Sequence, residues 1–133
     1  MTGASSAANR WVLVVEDDDD NREVLVEFIS GAGYPVKGVS SGAAALEMLR
    51  IDTPCLVLAD LYMKDMDGRQ LLKLARALLK TSMPPFVFAT GAHPSKLEDI
   101  SGAILPKPFA LDQLLKVVQH HCGAEGSPTS RHA

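Results

Sequence analysis

Asp60 closes an apolar run, Cys55-Leu56-Val57-Leu58-Ala59, and the acids Glu16-Asp17-Asp18 close another, Trp11-Val12-Leu13-Val14-Val15. Lys107 closes a third such run and Thr90 a fourth. If the runs are parallel strands, their C-terminal ends lie side by side and ligand chemistry collects in the crevice outside them. Carboxylates, one hydroxyl and one ammonium gathered there describe a site for Mg²⁺ and a phosphoryl group. Hard carboxylate oxygens without His or Cys suit Mg²⁺. Glu16 and Asp17, at the strand tip, are the better metal candidates, whereas Asp19 and Asp20 read as a negative helix start favoured by the dipole. A calcium loop is excluded, because Arg22 stands where glycine is required and no terminal Glu follows.

Singly, each residue has a bland reading. An Asp at a loop start often makes a turn, Thr is common at strand ends, and Lys107 could snorkel to solvent. Asp65, Asp67 and Gly68 already supply turn chemistry after Asp60. With a cation neutralising its acidic neighbours, Asp60 could instead serve as a nucleophile. Pro108 fixes the backbone after Lys107 and can favour a cis bond that aims it. The joint placement of these residues, in order and at strand ends, is hard to obtain by accident.

The elements that must position them alternate in period. Val12–Val15 reads as a buried strand. Val24, Leu25, Phe28, Ile29 and Ala32 then fall on one helical stripe, closed by Gly31 and Gly33. A strand over 34–39 follows, then a helix capped by Ser40 or Ser41 and running through Leu46 and Leu49. Residues 55–60 form strand three. Leu71, Leu74, Ala75 and Leu78 mark helix three, 85–90 strand four and 103–105 strand five. Leu111, Leu114, Leu115 and Val118 mark the last helix. Strands buried on both faces with crossovers between them predict an α/β, flavodoxin-like three-layer sandwich, with a five-stranded parallel sheet in the order 2-1-3-4-5.

The chain has 133 residues, 47% of them hydrophobic and 22% charged, enough for one domain with a sizeable core. A net charge of -3 argues against nucleic acid as a direct partner. No apolar run approaches the ~20 residues of a membrane span. Cys55 and Cys122 form no metal or redox spacing and read as reduced thiols in a cytoplasmic protein. Residues 1–10 read as a mobile lead-in, 11–122 as the domain, and the Gly-, Ser- and Pro-rich 123–133 as a disordered tail.

Val14-Val15-Glu16-Asp17-Asp18, Leu56 to Gly68 (with Asp60, Met63, Asp67 and Gly68), Phe88-Ala89-Thr90-Gly91 and Leu105-Pro106-Lys107-Pro108-Phe109 together resemble the receiver domain of two-component response regulators. The resemblance runs from about Val12 to about Cys122. It implies that Asp60 accepts a phosphoryl group from the phosphohistidine of a sensor histidine kinase or histidine phosphotransfer protein. Glu16, Asp17, Asp60 and the backbone carbonyl of Tyr62 would hold Mg²⁺, and Lys107 and Thr90 would each take a phosphoryl oxygen. The output would pass by contact with a downstream protein partner. Pro85-Phe86-Val87-Phe88-Ala89-Thr90-Gly91 further resembles a motif of single-domain receivers associated with stress signalling in alphaproteobacteria. The reading is therefore a stand-alone receiver, not an enzyme beyond its own phosphorylation and dephosphorylation. Its alternatives are a phosphate-independent pseudo-receiver, a Mg²⁺-dependent aspartyl phosphohydrolase, and a fragment of a hybrid kinase. Tyr62, where the phosphohydrolase pattern wants an acid, ranks that alternative low.

Several positions depart from the family. Lys64 replaces the usual loop proline, which puts the rigidity of the loop in doubt, and its side chain reads as a solvated surface lysine. Tyr62 stands where it could shield the phosphoryl group, and Gly91 keeps space open beside Thr90. Ile104 replaces an aromatic switch residue, and Phe86 and Phe88 read as core. Only 17 positions separate Thr90 from Lys107. Within them, Pro94 to Gly102 leaves room for roughly two helical turns, predicting a short or frayed fourth helix and a mobile loop at His93. His120 and His121 are adjacent and cannot share a helix face as metal ligands.

Overall fold

Alternation within each strand sends side chains to opposite faces, and here both faces are covered. The computed structural model describes residues 10–91 and 103–123. Strands β1 (Val12–Val15), β2 (Val36–Val39), β3 (Leu56–Asp60), β4 (Phe86–Thr90) and β5 (Ala103–Pro106) form one parallel sheet in the order β2-β1-β3-β4-β5. Four described helices flank it: α1 (Asp19–Gly31), α2 (Gly42–Ile51), α3 (Gly68–Leu79) and α4 (Leu111–Cys122). This is the flavodoxin-like sandwich the patterning predicts. The helix predicted between β4 and β5, the loop at His93 and most of both terminal segments lie outside the described residues.

Leu13, Val15, Val57, Ala59, Phe86 and Phe88 form one core with buried residues of α2 and α3. Val12, Val14, Leu56, Leu58, Val87 and Leu105 form the other with residues of α1 and α4. Phe86 and Phe88 are core, as expected. The helical stripes are narrower than the sequence suggests: Val24, Leu74, Leu78 and Leu111 are exposed, while Ile29, Leu71, Ala75, Leu114 and Val118 carry the burial. Each short helix touches the sheet along one line, so apolar residues at the flank of the stripe reach solvent. Tyr34 precedes β2 rather than opening it. It is buried, and its hydroxyl donates to the Gly123 carbonyl at 2.6 Å.

The reduced-thiol expectation is overturned. Cys55 and Cys122 are joined by a disulfide across 67 positions, with their Cα atoms 5.4 Å apart. Helix α4 runs antiparallel to the sheet, so its last residue returns to the N-terminal edge of β3. No spacing in the sequence records that return.

Candidate functional site

Register decides which strand tips meet. Val15 pairs with Ala59 and Asp60 with Ala89, so Glu16 follows β1 directly beside the end of β3. Thr90 pairs with Pro106, which puts Lys107 one residue past the end of β5 on the other side of Thr90. Carboxylate oxygens of Glu16, Asp17 and Asp60 all lie within 4.8 Å of one another. The Lys107 ammonium reaches into this cluster, 3.6 Å from Asp60 Oδ2 and 3.7 Å from Glu16 Oε1. Thr90 is buried at the tip of β4. The Lys107–Pro108 peptide is cis, as the sequence suggests.

Glu16 is buried, and Asp18 donates its backbone N–H to Glu16 Oε2 at 3.1 Å. Burial pushes the Glu16 carboxyl above its ordinary value, and the charges of Asp60 and Asp17 push the same way. The Asp18 N–H and the Lys107 ammonium oppose that shift without cancelling it. Among the described residues, three carboxylates face one ammonium and are under-neutralised, and the hard, all-oxygen donor set fits Mg²⁺. Asp17 Oδ2 accepts from the Lys64 N–H at 2.9 Å, and Asp60 Oδ1 from the Tyr62 N–H at 3.3 Å. Those bonds fix two of the carboxylates from one side.

Asp18 caps α1, accepting from the Asn21 N–H at 3.0 Å, and Asp19 and Asp20 stand in its first turn, the negative start expected of them. Arg22 donates to the Glu16 carbonyl oxygen at 2.9 Å and pairs with Asp19 at 2.6 Å. The patterning assigns Arg22 no role; an arginine one turn into a helix carries no local mark of reaching back to a strand tip. Tyr62 is about half exposed, and a side chain at position 91 would meet no described atom within 4 Å. An apolar cleft of about 450 Å³ opens beside Glu16 and Lys107, walled by Val24, Leu25, Phe109 and Leu111.

The loop from Asp60 to Gly68 corrects one expectation and extends another. It is fastened rather than loose despite Lys64: Gly68 donates to the Leu61 carbonyl at 2.5 Å, and Tyr62 bridges Asp67. Asp65 does more than shape the turn. Its oxygens accept from the Gly42 and Ala43 N–H groups of α2 at 3.1 and 3.0 Å. Asp67 caps α3 through the Gln70 N–H.

Comparison with known proteins agrees with this fold. Residues 12–119 match the response regulator receiver domain family. The chain is 32% identical over 111 residues to the response regulator receiver protein CpdR of Brucella abortus, covering 81% of this chain and 92% of that protein. It is 36% identical over 110 residues to the response regulator MprA of Mycobacterium ulcerans, covering 78% of this chain but only 46% of that longer protein. Among solved structures, the receiver domain of the hybrid histidine kinase CckA superposes with a TM-score of 0.70 at 31% identity, covering 84% of this chain and 98% of that one. By the family match over most of its length and by these relatives, the chain belongs to the response regulator receiver domains of two-component systems.

Proposed function

We propose that Asp60 accepts a phosphoryl group from the phosphohistidine of a sensor histidine kinase or histidine phosphotransfer protein, in a Mg²⁺-dependent reaction. The chain then acts as a switch of protein contacts. The observation that carries this reading is the Lys107 ammonium lying between Asp60 and Glu16 inside the three-carboxylate cluster. An Asp60 oxygen attacks phosphorus as the phosphorus–nitrogen bond to the donor histidine breaks, and the released imidazole takes up a proton. Such transfer needs positioning and charge stabilisation more than covalent assistance.

Glu16, Asp17, Asp60 and the Tyr62 carbonyl would hold Mg²⁺, which supplies charge neutralisation between the acids and the incoming phosphoryl oxygens. Lys107 neutralises one phosphoryl oxygen and Thr90 donates to another. Residues further back hold these groups in place: the Asp18 N–H fixes Glu16, Arg22 fixes the Glu16 carbonyl, and the Tyr62 N–H fixes the oxygen of Asp60 turned away from Lys107. The apolar cleft beside Glu16 and Lys107 suits docking of the donor protein. Phosphorylation adds charge that Thr90 and Lys107 can follow, and their displacement biases the face around β4 and β5 toward a downstream partner.

The test is intact mass after incubation with a small phosphodonor, with and without Mg²⁺, beside Asp60→Asn. One added phosphoryl group that requires both Mg²⁺ and Asp60 is expected. A folded chain that adds none and ignores beryllofluoride overturns the reading in favour of a phosphate-independent module.

A further inference from the structure

The segment that follows the Tyr62 carbonyl is held by two contacts that cross the molecule. In one, the Lys64 N–H donates to Asp17 Oδ2 at 2.9 Å, 47 positions away in sequence. In the other, at the next residue, both oxygens of Asp65 take backbone N–H groups of α2. The first N–H groups of a helix have no partner within it, and its positive end favours a carboxylate. Here Ser41 Oγ takes the Ala44 N–H at 3.0 Å, and Asp65, from beyond β3, takes those of Gly42 and Ala43. Burial pushes the Asp65 carboxyl up, but the N–H groups of Gly42 and Ala43, with its own and that of Met66, outweigh it and hold it below its ordinary value.

The fit is steric as well as electrostatic. A Cβ at position 42 would stand 2.5 Å from Met66 Cγ and 2.6 Å from its sulfur, so glycine there lets the loop lie on the helix. Lys64 and Asp65 are adjacent, so docking Asp65 on α2 fixes where the Lys64 N–H points. That N–H takes Asp17 Oδ2, and an oxygen of the same carboxylate lies within 4.8 Å of oxygens of Glu16 and Asp60. Ordering a ligand before the ion arrives removes part of the entropy cost of binding.

We propose that Asp65 is a positioning residue for the Mg²⁺ site. By clamping the loop onto the N-terminus of α2 it holds the Lys64 amide on Asp17, presetting the Asp17 carboxylate and the Tyr62 carbonyl. This rests on the Mg²⁺ reading above, and it assigns the work to a backbone N–H that a proline at position 64 would lack.

The experiment is Mg²⁺ titration of the whole chain by calorimetry, with amide hydrogen exchange of the metal-free protein read by NMR. Asp65→Ala is expected to weaken Mg²⁺ binding about ten-fold, in the range for residues that orient metal ligands, and to expose the Lys64 amide to fast exchange. Lys64→Pro is expected to weaken binding more than Lys64→Ala, which removes the ammonium but keeps the N–H. Ser41→Ala, which removes the other cap of the same helix, should lower the melting temperature and leave Mg²⁺ affinity in place. Equal loss of affinity in Ser41→Ala and Asp65→Ala would reduce Asp65 to a stabiliser of α2 and overturn the proposal. So would a Lys64 amide that exchanges freely in the unaltered chain. If the unaltered chain binds no Mg²⁺, the functional reading falls, while Lys64 protection that survives Asp65→Ala overturns the clamp and protection that is lost sustains it.

Discussion

Lys107 donates its backbone N–H to the carbonyl oxygen of Thr90 at 2.8 Å. The two residues proposed to take phosphoryl oxygens are therefore joined by the sheet ladder itself. Their separation of 17 positions matters little to their spacing, because the parallel pairing of β4 with β5 closes right there.

Removing the ammonium tests this arrangement. Lys107→Ala leaves the ladder intact, since the bond to Thr90 is made by backbone. It is expected to slow phosphorylation by a small phosphodonor by about 10²-fold, the usual scale for losing one charge-stabilising donor. Time courses of intact mass would show it; an unchanged rate would remove Lys107 from the transfer step.

The acidic cluster makes a second prediction, in two signs. Asp17→Asn keeps an acceptor for the Lys64 N–H but deletes one of three clustered charges. Without metal it should stabilise the chain, by up to about 1 kcal/mol at this partly exposed position. With Mg²⁺ the order reverses. The unaltered chain should gain about 2.7 kcal/mol at a hundred times the dissociation constant, and the variant should gain little. Urea unfolding with and without Mg²⁺ reads both.

Acid should release the Asp65 clamp. Its folded-state pKa lies below the ordinary value, so the unfolded chain takes up its proton first. The contribution is complete above the ordinary carboxylate pKa of about 3.9 and is lost as pH falls through the lower folded value. Glu16 has the opposite sign: its raised pKa gives stability at low pH that is lost as pH rises through the folded value. Comparing unfolding of the unaltered chain with Asp65→Asn from pH 6 to pH 3 isolates Asp65. The unaltered chain should lose more stability across that range, and equal losses would count against the clamp.

The Cys55–Cys122 bridge closes a long loop, so reduction should cost stability without touching the site. The chain-entropy account gives about 4 kcal/mol for a loop of this size, and native strain or residual structure lowers that figure. Dithiothreitol and Cys122→Ser should shift the urea midpoint alike, with Mg²⁺ affinity unchanged. A reduced chain as stable as the oxidised one would assign the bridge no structural weight.

Gly68 is a packing requirement. A Cβ there would lie 2.7 Å from a ring carbon of the fully buried Phe88 and 3.0 Å from a Leu61 methyl. Gly68→Ala should destabilise the chain by about 1–3 kcal/mol, the range for overpacking a core, as read by thermal unfolding.

Much of this was written locally. Five strands, four of the helices and the polar groups at the strand tips follow from apolar periodicity and from where it stops. A strand buried on both faces needs an unbroken apolar run, and the first polar residue after it must stand at the crevice. Glu16, Asp60 and Thr90 were legible for that reason, whereas Lys107 follows β5, an edge strand of which only Leu105 is buried. The exposed Val24, Leu74, Leu78 and Leu111 show the weakness of periodicity, which places a residue on a stripe but cannot say how wide the covered stripe is.

Tertiary structure decided what depends on distant segments meeting. The Cys55–Cys122 bridge and the docking of Asp65 on α2 each join elements whose sequence separation carries no signal. The Lys64 contact is harder still to read, because it is made by a backbone N–H, which every residue but proline possesses, whatever its side chain. The amino-acid sequence by itself determined which chemical groups stand at the ends of the strands. Only the packing of loop on helix decided how firmly those groups are held, because orientation depends on partners that proximity in space, not position in the chain, supplies.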